Sequence, residues 1–315
     1  MKRSIFLFIL AALLFSACGL PPASDSGTAV PVILTSTTFL ADIARNVAGD
    51  RARVESLLPL GADPHTYQPT PLDVARIAES KVLILNGLEY EHFIESLLES
   101  AGGEQLIIVA SEGIEPRKME EHHGEENAAE TEAGEGSEHE AGDPHMWLDP
   151  NLVLFYVENI REGLTHFDPH GAAIYQANAE AYRARLKELD AWIVEEVAQI
   201  PPERRLLITN HESLGYFAER YGFRIVGTVI ESFSSDASPS AQQMATLIGQ
   251  IRASGAPAIF LEASENPALA QQIADESGVR VVTGLHLESL TNGSPAATYI
   301  DMMKHNVTLI VNALK

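Results

Sequence analysis

Lys81-Val82-Leu83-Ile84-Leu85-Asn86-Gly87 is a short apolar run that does not alternate with polar residues. A strand with one wet face alternates; a continuous run is buried on both faces, as in a parallel sheet covered by helices. The flanks agree. Upstream, Thr70-Pro71 reads as an N-cap followed by a first-turn proline, with Leu72, Ala75, Ile77 and Ala78 as the inner face of the helix it opens. Downstream, a helix over Tyr90 to Ser100 ends at Gly102-Gly103, and Leu106 to Ala110 is another strand. Earlier still, Val30 to Thr35 is a strand, Thr38 to Val47 a helix with Phe39, Leu40, Ile43 and Val47 on one side, and Arg53 to Leu60 a second strand. Strands alternating with helices build a parallel α/β layer.

The pattern recurs in the second half. After Pro150 a helix runs to about His166. Asp168, as N-cap, and Pro169 then open a much longer one to about Gln199, with Ile174, Tyr182, Leu186, Leu189, Ile193 and Val197 at helical spacing. At ~1.5 Å per residue such a helix crosses a whole domain. Beyond Pro201-Pro202, strands are expected over Arg205 to Thr209, Arg224 to Ile230, Ala258 to Glu262 and Val279 to Thr283. Helices start near Ser213, Ser240 and Asn266, and a last one covers Ala296 to Leu314. The expected fold is α/β: two parallel-sheet lobes, 30–166 and 201–315, bridged by one long helix, 167–200, with a cleft between the lobes.

The 315 residues suit two domains, and the formal net charge of −23 argues against nucleic acid and favours cations. Lys2-Arg3 and the apolar run Ile5 to Phe15 form a targeting segment too short to span a bilayer. It ends in Phe15-Ser16-Ala17-Cys18-Gly19, which resembles a bacterial lipoprotein signal covering 1–18, with Cys18 as the lipidated residue. Cys18 is the one cysteine of the chain, so an internal disulfide and a thiolate metal site are excluded. Residues 19–29 read as a flexible tether. Residues 119–143 are rich in Glu, carry His122, His123 and His139, and contain almost nothing apolar; this insert is expected to be disordered and offers auxiliary metal ligands.

Two triplets stand out: Asp63-Pro64-His65 and Asp143-Pro144-His145, the second continuing Met146-Trp147-Leu148-Asp149-Pro150. Proline stiffens the corner, and a histidine held just after it loses little freedom on binding. Neutral imidazole is the commonest metal ligand. His65 follows the strand at 53–60, His211 the strand at 205–209, and Glu288 the last strand. Ligands of open α/β sheets sit at the carboxyl ends of strands, so these residues are expected to face one cleft. His286 rivals Glu288 for the fourth position. Asp63, Asp143, Asp149 and Glu212 are candidate partners that orient the imidazoles, although Asp-Pro turn chemistry explains the first three equally. His92, His166, His170 and His305 read as solvated or structural.

With these pieces in hand, the chain resembles the zinc/manganese-binding solute-binding lipoproteins of bacterial ABC importers. The matching motifs are Thr35 to Ile43, Gly61 to Pro71, Asp143 to Pro150, Thr209 to Phe217 and Leu285 to Leu290, together with the acidic insert before Asp143. The resemblance implies metal ligands at His65, His145, His211 and Glu288, although Asp is usual at the last place. It implies a lipid-anchored protein outside the cytoplasm, on the cell surface or the periplasmic side of the membrane, working with a membrane permease. A monomer is expected. A histidine at the third position implies Zn²⁺ rather than Mn²⁺, and the rigid helix implies small motions on binding. Two other classes compete with this reading. A zinc hydrolase needs a poised base and a close ligand pair such as H-E-x-x-H, and the sequence has neither. A surface adhesin would share the anchor and the lobes.

Overall fold

The computed structural model describes residues 30–118 and 142–315. The signal segment, Cys18, the tether and the insert histidines His122, His123 and His139 lie outside the described residues. The first lobe carries strands β1 (Val32–Thr35), β2 (Arg53–Ser56), β3 (Val82–Leu85) and β4 (Leu106–Val109), and helices α1 (Thr38–Ala48), α2 (Pro71–Glu79), α3 (Ile94–Ala101) and α4 (Val153–Phe167). A 26-residue helix, α5 (Ala172–Val197), follows. The second lobe carries β5 (Leu206–Thr209), β6 (Arg224–Thr228), β7 (Ala258–Glu262) and β8 (Arg280–Leu285), with α6 (Gly215–Tyr221), α7 (Ala241–Ser254), α8 (Ala268–Ser277) and α9 (Tyr299–Leu314). The sheets have the same strand order, β2-β1-β3-β4 and β6-β5-β7-β8, and every pairing is parallel.

The non-alternating strands divide their side chains between two cores. In β3, Val82 and Ile84 face the large central core, whereas Leu83 and Leu85 join Leu34, Ile77, Phe93 and Leu97 beneath α2 and α3. In β7, Ala258 and Phe260 face the central core, whereas Ile259 and Leu261 join Leu247, Ile251 and Ile273 beneath α7 and α8. Each buried Leu, Ile or Phe contributes about 1.5–3 kcal/mol, so a strand that buries both faces holds two layers at once. The central core is one continuous cluster from Ile33 to Leu314 and belongs to both lobes.

Helix α5 runs through the middle of it. Tyr175, Ala179, Tyr182, Leu186, Leu189, Ile193 and Val197 recur every three or four residues and are all buried. This stripe packs against α1 and α4 of the first lobe and α9 of the second. The interior is tied crosswise by hydrogen bonds. Trp147 stacks on Phe39 with ring centres 4.4 Å apart, and its Nε1–H donates to the Leu287 carbonyl at 2.6 Å. The Tyr299 hydroxyl donates to the Trp147 carbonyl at 2.6 Å. Asp190 of α5 accepts from Asn151 Nδ2 at 2.8 Å, from the Tyr221 hydroxyl at 3.0 Å and from Arg220 at 2.8 Å.

Four local expectations are corrected. In α2, Leu72, Ala75 and Ala78 are exposed, and the buried residues are Asp73 and Ile77. Asp73 turns inward because its carboxylate accepts from the Thr70 N–H and the Tyr67 hydroxyl, both at 2.8 Å, which rotates the helix. Helix α3 begins at Ile94 and not Tyr90. The preceding loop is held open by buried Glu91, which accepts from the Ser36 hydroxyl at 2.6 Å and the Asn86 N–H at 2.7 Å. Asp168 does not cap α5; a 3₁₀ turn over Pro169–Gly171 leads in, and the Asp168 carboxylate accepts from Arg51 at 3.0 Å and from Tyr175 at 2.9 Å. Ile174 points outward.

Candidate metal centre

The two triplets fold alike. The Asp63 carboxylate accepts the His65 N–H at 2.9 Å, and the Asp143 carboxylate accepts the His145 N–H at 2.9 Å. This is the local turn that Asp makes with the backbone two residues on, here stiffened by the intervening proline. The second lobe uses different means. The Thr209 hydroxyl donates to the His211 carbonyl at 2.7 Å, fixing the turn after β5. Glu288 lies in the turn after β8. Trp147 holds the preceding carbonyl, and Thr38 accepts the Leu290 N–H at 2.8 Å through its hydroxyl. The two lobes also meet at the rim, where the Ser289 hydroxyl accepts the Gly61 N–H at 2.7 Å and Ser235 donates to Asp63.

The result is a convergence on one atom. Glu288 Oε1 lies 2.9 Å from His65 Nε2, 3.4 Å from His145 Nε2 and 3.5 Å from His211 Nε2. One ligand atom from each of the four residues lies within 4.8 Å of all the others. The His65, His145 and His211 side chains are almost fully buried, and Tyr90 packs edge-on to His65 with ring centres 5.2 Å apart. The structure therefore brings His65, His145, His211 and Glu288 together.

His286 stays outside this cluster. It is half-buried beside His305, with ring centres 5.5 Å apart, and its backbone is held by Asn306. Burial and that neighbouring ring lower its pKa. Glu212 donates its backbone N–H to Ser232 and joins neither group of converging ligand atoms among the described residues. Asp149 accepts from Asn151 instead of an imidazole. His92, His166 and His170 are exposed, and His305 contacts the Gly284 carbonyl at 2.9 Å.

The electrostatics follow from burial and partners. Burial alone would lower the His145 pKa, but the hydrogen bond to Asp143 and the nearby Glu288 carboxylate hold it above the ordinary imidazole value. Burial opposes charge on His211 too, yet Glu265, Glu288 and Glu262 push it well up. Burial would raise Glu288; three imidazoles, His65 foremost, hold it well below the usual carboxylate range. Glu262, buried and next to other carboxylates, is pushed well up.

The sequence reading missed Glu262, Glu265, Tyr90 and Ser289. The first had a signal: Glu262 ends β7, and the carboxyl end of a strand is also where His211 and Glu288 were sought. Ser289, which bridges to Gly61, had none, because it depends on the lobes meeting.

The manganese-binding lipoprotein MntA of Halalkalibacterium halodurans is 35% identical over 321 residues, covering 100% of this chain and 99% of that protein. The iron-binding protein YfeA of Yersinia pestis is 32% identical, covering 98% of this chain and 94% of the relative. Among solved structures, the periplasmic zinc-binding protein TroA of Treponema pallidum superposes with a TM-score of 0.77 at 28% identity, covering 90% of this chain and 99% of its own. The family model for the zinc-uptake complex component A, periplasmic (ZnuA), matches residues 33–313. The chain belongs to this family of metal-binding solute-binding proteins of ABC importers, which are not enzymes.

Proposed function

We propose that the chain captures one divalent transition-metal ion, zinc foremost, with His65, His145, His211 and Glu288, and delivers it to an ABC permease for import. The observation that carries this reading is the approach of three imidazole Nε2 atoms to a single Glu288 oxygen, all within 3.5 Å. Three neutral nitrogens and one carboxylate suit the tetrahedral preference of Zn²⁺. They leave the ion with about one unit of positive charge, which the acidic surroundings tolerate. His286 is left out of the set because its ring faces His305. Lipidation at Cys18 would hold the protein at the outer side of a membrane, in keeping with relatives named lipoproteins. No helix among the described residues is long and apolar enough to cross a membrane.

Manganese is the second reading, favoured by the name of the MntA relative. At a given nitrogen and oxygen site Zn²⁺ binds more tightly than Mn²⁺, so the ratio of affinities is informative and a single affinity is not. The test is a competition titration of Zn²⁺ against Mn²⁺ on the purified protein and on His211→Ala. Tight one-to-one zinc binding, far above manganese and largely lost in the variant, supports capture of zinc by this site. Comparable affinities would assign manganese, and an unimpaired variant would remove His211 from the ligand set. We further propose that the insert histidines His122, His123 and His139 collect zinc weakly. Deleting 119–141 then leaves the tight site intact, and loss of tight binding would make them primary ligands.

A further inference from the structure

Behind His211 stand two carboxylates that the four-residue cluster does not use. Glu262 is the last residue of β7, and Glu265 lies in the turn that follows. Glu265 is firmly set: one oxygen accepts the Glu262 N–H at 2.9 Å and the other accepts Asn210 Nδ2 at 2.6 Å. The latter oxygen also lies 3.5 Å from His211 Nδ1, on the ring edge opposite the one facing Glu288. Glu262 is only 6% exposed. Its Oε2 accepts the Leu287 N–H at 3.3 Å, whereas its Oε1 and His211 Nδ1 are both buried without a hydrogen-bond partner. One ligand atom each from His211, Glu262 and Glu265 lies within 4.8 Å of the other two.

Leaving a carboxylate oxygen and an imidazole nitrogen buried and unmatched is costly, so such groups in a folded protein call for a partner. Two carboxylates and one imidazole nitrogen make a donor set that a divalent cation satisfies in full. We propose that His211, Glu262 and Glu265 form a second cation position that shares the His211 ring with the four-residue site and passes the ion to and from it. The sharing rests on the capture reading above; the position itself stands on its own residues. A neutral imidazole has one lone pair and one N–H, so His211 serves one side at a time and the two positions fill in alternation. Glu265 is the least buried of the three, and it marks the solvent side of the route.

The position is tested with Co²⁺ alone on the double variant His65→Ala/His145→Ala, which removes the four-residue site and keeps His211. The expected result is one equivalent of Co²⁺ with visible d–d bands, abolished by adding Glu262→Gln. Absence of binding in a double variant that melts cooperatively, or binding indifferent to Glu262→Gln, overturns the proposal. Should the double variant fail to fold, transfer kinetics decide. Release of Zn²⁺ from otherwise intact protein to a strong chelator is expected to slow severalfold in Glu262→Gln and Glu265→Gln, whereas groups that merely orient His211 would, on removal, weaken binding and speed release. Exposed Glu188→Gln, on α5, serves as control and keeps the wild-type rate. Wild-type or faster rates in both test variants overturn the proposal. Wild-type titration in the same series reports the capture reading by itself: no tight zinc site there sinks that reading, whatever the variants do.

Discussion

One oxygen of Asp143 accepts both the backbone N–H and the ring Nδ1–H of His145, at 2.9 and 2.8 Å. The Nδ1 proton is thereby fixed, and the Nε2 lone pair is left facing Glu288. His65 has no such partner at Nδ1, and His211 has only the 3.5 Å approach of Glu265. His145 is thus the most firmly oriented of the three rings. Asp143→Asn removes the carboxylate charge and puts an NH₂ donor in place of one oxygen, so the tautomer is no longer set by two equivalent acceptors. Metal affinity is expected to fall about 10–100-fold, measured by competition with a chelator. An unchanged affinity would show that the ring is held by packing alone.

Acid should release the metal early. His145 and His211 have raised pKa values, so protons compete for their lone pairs from above the ordinary imidazole value of about 6.5. The metal-free protein should behave oppositely. A raised folded pKa contributes stability that is fully present below the unfolded value and is lost as pH climbs through the folded one. Raised Glu262 works in the same direction. Melting curves without metal should therefore shift to lower temperature as pH rises above the ordinary imidazole value of about 6.5, and those with metal should not. The same trend in both forms would contradict this assignment.

Trp147 couples the fold to the site. Its indole N–H holds the carbonyl of Leu287, next to Glu288. Trp147→Phe keeps an aromatic ring against Phe39 and leaves that buried carbonyl without its donor. A loss of about 1–3 kcal/mol is expected in denaturant unfolding, with weaker metal binding as Glu288 loosens. Loss of stability with affinity intact would separate the two roles.

Asp190 ties α5 to Asn151 on one side and to Arg220 and Tyr221 on the other. Burial would raise its pKa, but Arg220, Asn151 and Tyr221 hold it below the usual carboxylate value. A depressed folded pKa contributes stability that is present above the unfolded value and lost as pH falls. Asp190→Asn should cost about 1–3 kcal/mol near neutral pH. The gap to wild type should narrow in acid, and a gap that stays constant with pH would show that the carboxylate charge is not what matters.

All eight strands and the long helix were legible in the sequence because they report themselves through short apolar runs and a stripe such as Tyr182, Leu186, Leu189 and Ile193. Histidines after rigid corners were legible for the same local reason. The inner face of α2 was not, because Asp73 turns inward to hydroxyl and N–H partners that no apolar count reveals. The choice between His286 and Glu288 was not legible either. It rests on two residues of separation in one turn, and on which side chain Asn306 and Trp147 steer toward the cleft. Glu262 reads in sequence as an ordinary strand end. Its meaning depends on β7 lying beside β5 and β8, a pairing between distant segments.

The shared interior that runs from Ile33 to Leu314 has a further consequence. Neither half owns a complete hydrophobic core, so neither should survive alone, and heat should melt the molecule as a single cooperative unit. A close-packed body of that kind does not hinge freely. Cargo status is then written in the turns at the strand ends rather than in the outline of the molecule. A receiving partner has to read that small patch of loops, much as a lock reads the teeth of a key and ignores its bow.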